Sequence, residues 1–229
     1  MGEGCSRYHV RVRCLLLVSS LLVLGCATQP PPAAQTQPEK FGPGDAQAPP
    51  SLRALPELGK DRSSQLHRAL TMAGQVFAAP LPPAPIERSY AELSDWVDSD
   101  VARWIDLRRD AVEETRFQFN SSDSQPGTRV ILSAVIGLLQ EDTAYQLSLI
   151  PQPKELDNEP EIAALFRELV QGQTDPFQNA ALSEYLQCVT GANEQGGPHL
   201  RFARFCQQRH DRLVRTETKQ GDALAAKTY

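Results

Sequence analysis

The sequence predicts an all-α protein: five or six helices in an irregular bundle or helical array, ending in a helical hairpin stapled by a disulfide. Three observations carry this expectation. Apolar residues recur at i, i+3, i+4 spacing along most of the chain from Lys60 onward. No long stretch alternates apolar and polar among β-branched residues, as a half-buried strand requires. The most apolar internal run, Val130 to Leu139, is too short to span a bilayer, which takes about 20 residues, and reads as a buried core helix.

Taken in order, the first helix lies within Lys60–Ala79, with Asp61 and Ser63 as available caps and Leu66, Leu70, Ala73, Val76 and Phe77 on one face. Pro80, Pro82, Pro83 and Pro85 end it and make residues 80–88 a stiff connector. Ser89-Tyr-Ala-Glu92 has the capping-box pattern, and a long helix follows, one face of which is traced by Leu93, Trp96, Val97, Val101, Trp104, Arg108, Val112 and Phe119. Asn120–Gly127 is a loop by composition, and the helix of Val130–Leu139 continues through Tyr145, Leu147 and Leu149 until Pro151 stops it. A further helix is expected from Asn158, burying Ile162, Leu165, Phe166 and Leu169. Thr174-Asp-Pro176 reads as the start of another, carrying Phe177, Ala181, Leu182, Leu186 and Val189. The last follows Gly196-Gly197-Pro198, with Leu200, Ala203, Cys206 and Leu213, and frays from Thr216. Helix starts are unevenly spaced and the tetratricopeptide pattern is absent, so no repeat array is expected.

The chain is thereby divided into a segment 1–25, a tether 26–59, a helical domain 60–215 and a polar tail 216–229. Eight of the 18 prolines lie between Pro30 and Pro56, where large apolar side chains are scarce, so the tether cannot bury enough surface to offset its ordering entropy.

Segment 1–25 has the form of a secretory signal. Arg7, Arg11 and Arg13 precede an apolar stretch from Cys14 to Leu24, and Gly25-Cys26 follows. Val23-Leu24-Gly25-Cys26 resembles the lipobox of bacterial lipoproteins. The resemblance covers about the first 30 residues and implies cleavage before Cys26, acylation of that cysteine, and, with Ala27 rather than aspartate next, an outer-membrane address. Two other readings remain open: Met1-Gly2-Glu3-Gly4-Cys5-Ser6 fits a myristoylation pattern, and the signal could be cut without lipid. A tether of this length could carry the domain roughly 100 Å from the membrane if polyproline-like, or roughly 30 Å as a coil.

Losing Arg7, Arg11, Arg13 and Glu3 with the signal changes the net charge from −5 to −7. Nucleic acid as a partner is disfavoured, because Arg103, Arg108, Arg109 and Arg116 alternate with Asp100, Asp106, Asp110, Glu113 and Glu114 in what reads as a solvated helix face, not a basic patch.

Of the cysteines that remain after cleavage, Cys26 is assigned to lipid, leaving Cys188 and Cys206 as an even pair for which a disulfide is the default in an oxidising compartment. The alternative, a metal held by Cys188, His199, Cys206 and His210, departs from ligand spacing because ten residues separate Cys188 from His199. No metal or other cofactor is expected. No nucleophile elbow, zinc-protease motif or phosphate-cradling loop is present. His67, His199 and His210 lie among polar residues, and adjacent Glu113 and Glu114 point apart on a helix. Trp96 and Trp104 fall nearly on one face and read either as core or as a groove for a partner helix or apolar ligand. The functional expectation is a non-catalytic envelope adaptor or assembly factor, tied to the membrane through Cys26 and docking on an envelope protein. An apolar-ligand carrier or sensor is the second reading, and a cell-wall-acting enzyme the third.

Overall fold

The computed structural model describes residues 51–58, 63–121 and 125–225, with side-chain detail through Arg215. Among these residues the fold is all-α. Its helices are α1 (Ser64–Phe77), α2 (Tyr90–Trp96), α3 (Ala102–Asn120), α4 (Pro126–Leu147), α5 (Pro160–Gln195) and α6 (Leu200–Ala225). A π turn, Val97–Val101, joins α2 to α3 without a break in the rod.

Local chemistry sets most of the starts. The Ser63 hydroxyl accepts from the Leu66 amide to open α1. At α2 the Ser89 hydroxyl accepts from the Glu92 amide while the Glu92 carboxylate accepts from the Ser89 amide, completing the expected capping box. Proline stands at the first turn of α4 and of α5, where its missing N–H is no loss.

Helix α4 is the axis of the bundle. Every residue from Val130 to Leu139 is buried, as expected of a run that is apolar all round, and α1, α3, α5 and α6 all pack on it. Its close approach to α5 depends on glycine: a Cβ on Gly137 would fall 2.6 Å from Cε1 of Tyr185, and one on Gly191 would fall 3.2 Å from Cγ2 of Val130. Tyr185 is fully buried and its hydroxyl is engaged, so its ring has nowhere to move. Gly137→Ala is therefore expected to lower stability by about 1–2 kcal/mol, overpacking exceeding the gain in helix propensity. Gly74→Ala in α1, where the added Cβ would meet no packing neighbour within 4 Å, should instead raise it, and urea midpoints of the two variants should move in opposite directions.

Four sequence expectations are corrected. Thr174-Asp-Pro176 does not start a helix: α5 runs unbroken from Pro160 to Gln195 with Pro176 inside it. Thr174, read as a forward cap, is buried and donates backward from Oγ1 to the Gln171 carbonyl at 2.8 Å. Packing along α4 offsets the hydrogen bond that proline removes. Ile162, Leu165 and Leu169 are not buried, and neither are Leu149, Leu186 and Leu200. The tether expected over 26–59 ends earlier, because Leu52, Leu55 and Leu58 are spaced to pack on the main core around a 3-10 turn, Leu52–Ala54. Finally, α6 stays helical to Ala225, beyond the Thr216 point at which its polar composition predicts fraying.

Candidate functional site

The antiparallel register of α4 and α5 creates an arm. Val130 meets Gly191 and Gly137 meets Tyr185, so the last residue of α4, Leu147, falls opposite about Thr174. Residues 160–173 thus extend past the end of α4. Helix α5 starts there with Pro160 at its first position and Glu161 in its first turn, and the Ala163 amide donates to the Glu159 carbonyl at 2.8 Å.

One side of the arm is covered. Ala163 is buried, and Phe166 and Val170 line a concavity of about 390 Å³ with Ser148, Ile150, Gln152 and Arg167. The Arg167 guanidinium donates to Oε1 of Gln152. The base is pinned to the proline connector: the Lys154 amide donates to the Arg88 carbonyl, Lys154 Nζ pairs with Glu87, and the Tyr90 amide donates to the Glu155 carboxylate, each at 3.0 Å. That amide holds the Glu155 carboxyl below its ordinary value.

The other side is bare. Ile162, Leu165 and Leu169 are 45%, 58% and 55% exposed and belong to neither of the two core clusters. Their spacing of three and four places them on one face for two turns. Glu161 and Glu168 stand four before and three after Leu165, edging that row, and Asp175 continues the edge one heptad on. Between residues 155 and 175 there are six carboxylates and a single basic residue, Arg167. Glu161 and Glu168 form no ion pair among the described residues.

The residues singled out from sequence are distributed differently. Cys188 on α5 and Cys206 on α6 form the expected disulfide, both fully buried, across the turn in which Gly196 and Gly197 adopt φ of +63° and +51°. Their sulfurs are joined to each other, and no cluster of three or more potential metal ligands is found among the described residues.

Trp96 and Trp104 are core, each 5% exposed, in a cluster with Leu93, Val101 and Leu147. Trp104 Nε1 donates to the Ala79 carbonyl at 3.0 Å. The face that read either as core or as a partner groove packs against Leu81 and Ala84 of the connector and against Phe177. Cys26 and the rest of the lipobox lie outside the described residues. His67 is exposed, and His199 packs its ring against Gly127. Among the described residues no helix is long and apolar enough to cross a membrane.

Sequence reading missed two buried charge clusters. Arg108, read both in a solvated charge series and on the face of Trp96 and Trp104, is 2% exposed: its Nη1 donates to Asp142 at 2.6 Å, its plane stacks 4.0 Å over Trp104, and Nη2 reaches the Val76 and Ala79 carbonyls. Burial outweighs the mutual attraction, lowering the Arg108 pKa and raising that of Asp142. In the second cluster Glu141 accepts from Tyr185 Oη at 2.6 Å and from Arg209 Nε at 2.9 Å, while Arg209 Nη2 lies 2.6 Å from its other oxygen. Desolvation pushes the Tyr185 hydroxyl well above its ordinary range. Both oxygens of this carboxylate are in contact with a partner, so the cluster clamps α4, α5 and α6 together. The signal for it was Glu141-Asp142 one position past Gln140 on the same helix as the buried run Val130 to Leu139, since carboxylates on so apolar a helix must be paired where it is buried. Comparison with protein-family models, curated proteins and solved structures finds no match for this chain.

Proposed function

We propose that this protein is a membrane-tethered helical adaptor or assembly factor of a bacterial envelope, acylated at Cys26 and held at the outer membrane, whose arm docks on an envelope protein. The observation that carries the docking role is the exposed row Ile162, Leu165 and Leu169 on a helix that outruns its packing partner. An isolated exposed leucine is ordinary, but three in register on a segment pinned at its base form a presented surface. The lipobox resemblance and the proline-rich stretch after it supply the anchor and the reach.

The test places a photo-crosslinking amino acid at Leu165 in the full chain inside cells, and at Arg103 on the outer face of α3 as control. An adduct of discrete mass at 165, absent at 103 and diminished when Cys26→Ala prevents incorporation of an alkyne-labelled fatty acid, is the expected result. Equal crosslinking at both positions, or none at 165, overturns the docking role. Fatty-acid labelling that survives Cys26→Ala overturns the anchor.

A further inference from the structure

We infer that the partner of the arm is an amphipathic helix whose apolar stripe is edged by lysine or arginine; the inference rests on the docking role proposed above and names the chemistry of what docks. The apolar row of two turns needs a partner face with leucine-like residues at three and four spacing, the helix-on-helix solution for so narrow a stripe. The edge decides which helix. Glu161, Glu168 and Asp175 recur every seven residues, a spacing that drifts only about 20° per repeat on a straight helix, so they form one continuous acidic border about 21 Å long.

Glu161 alone could be explained by the positive end of α5, in whose first turn it lies. Glu168 and Asp175 cannot, since they sit in the third and fifth turns, beyond the reach of that end. Nor, among the described residues, does the fold use Glu168 in an ion pair, and Asp175 accepts from the neutral Gln171 amide at 2.8 Å.

A second copy fits poorly. Antiparallel pairing of two arms about Leu165 and Phe166 sets Ile162 against Leu169 and brings Glu161 of one copy beside Glu168 of the other, like charge on like charge. An anionic bilayer is repelled by the same border. A cationic border meets it with opposite charge along its whole length, which favours the encounter and fixes the register of the two stripes.

The test titrates the purified full chain with a fluorescein-labelled 18-residue synthetic peptide of leucine and lysine, leucines at i, i+3, i+4 and i+7, reading anisotropy, with a leucine–glutamate peptide of the same pattern as counterpart. Saturable one-to-one binding of the lysine peptide is expected. It should weaken at least tenfold in Glu161→Lys/Glu168→Lys and in Leu165→Asp, and change less than twofold in Asp110→Lys/Glu113→Lys on the outer face of α3, with all four proteins equally helical by circular dichroism. The charge-reversed arm should gain affinity for the glutamate peptide. Equal weakening by the α3 pair means that net charge alone is being read, and overturns the proposal. So does the absence of saturable binding, or a concentration-dependent dimer in sedimentation velocity that Leu165→Asp abolishes. If the arm crosslinks a partner at Leu165 in cells while the lysine peptide fails to bind, the docking role stands and the assigned partner chemistry falls.

Discussion

Replacing Asp142 with alanine should destabilise the fold by about 3–5 kcal/mol, the range for removing one partner of a buried ion pair. The variant leaves the Arg108 guanidinium 2% exposed and stacked on Trp104, with the Val76 and Ala79 carbonyls as its remaining partners at 3.5 and 3.4 Å. That group cannot escape by losing its proton, because arginine stays protonated far above neutral pH. Unfolding in urea would show the loss as a lower midpoint at an unchanged slope. The pair as a whole is a different matter, since burial works against both charges. The double variant Arg108→Met/Asp142→Leu is accordingly expected to recover most or all of the loss. A double variant as unstable as Asp142→Ala would show that the charges themselves, and not their desolvation, hold α3 to α4 and to the end of α1.

The second large effect concerns the hairpin of α5 and α6. Removing the disulfide by Cys188→Ala/Cys206→Ala should cost about 3 kcal/mol, the chain-entropy value for a loop closed between cysteines 18 residues apart. Much of the effect belongs to the unfolded chain, which the bridge shortens, so the urea slope should rise as the midpoint falls. A loss below about 1 kcal/mol with no change in slope would mean that the unfolded chain keeps the hairpin closed without the bond.

The helices were legible in the sequence wherever a local rule decides them. Ser63, Ser89 with Glu92 and the Gly196-Gly197 turn each act within four residues, and the structure uses them as expected, whereas Pro126, read as part of a loop, opens α4 and Pro176, read as a start, lies inside α5. The cysteine pair was legible by elimination. What escaped was anything that depends on which helices meet. Thr174-Asp-Pro176 satisfies every local rule for a start, yet α4 lying alongside carries α5 straight through it. Leu165 and Leu169 have the periodicity of buried residues, but only the register of α4 against α5 reveals that α4 has already ended where they lie. Arg108 fell on the face of Trp96 and Trp104 and also in a solvated charge series, and only the meeting of α1, α3 and α4 decides between them, by bringing a carbonyl pair and Asp142 onto it. The same blindness hid the arm: apolar periodicity identifies a face without saying whether anything in the chain covers it.

The order in which the helices pack has a kinetic consequence. α3 lies on α4, α4 on α5, and α5 on α6, so the main interfaces join elements adjacent in the chain, and the disulfide closes a hairpin between two of them. Such a topology places little loop-closure entropy in the folding barrier, and chains of this kind reach the native state in microseconds to milliseconds. If the chain is threaded unfolded through a membrane, as the proposed lipoprotein anchor requires, the interval during which the apolar stretch from Val130 to Leu139 is naked to other newly arrived chains would be brief.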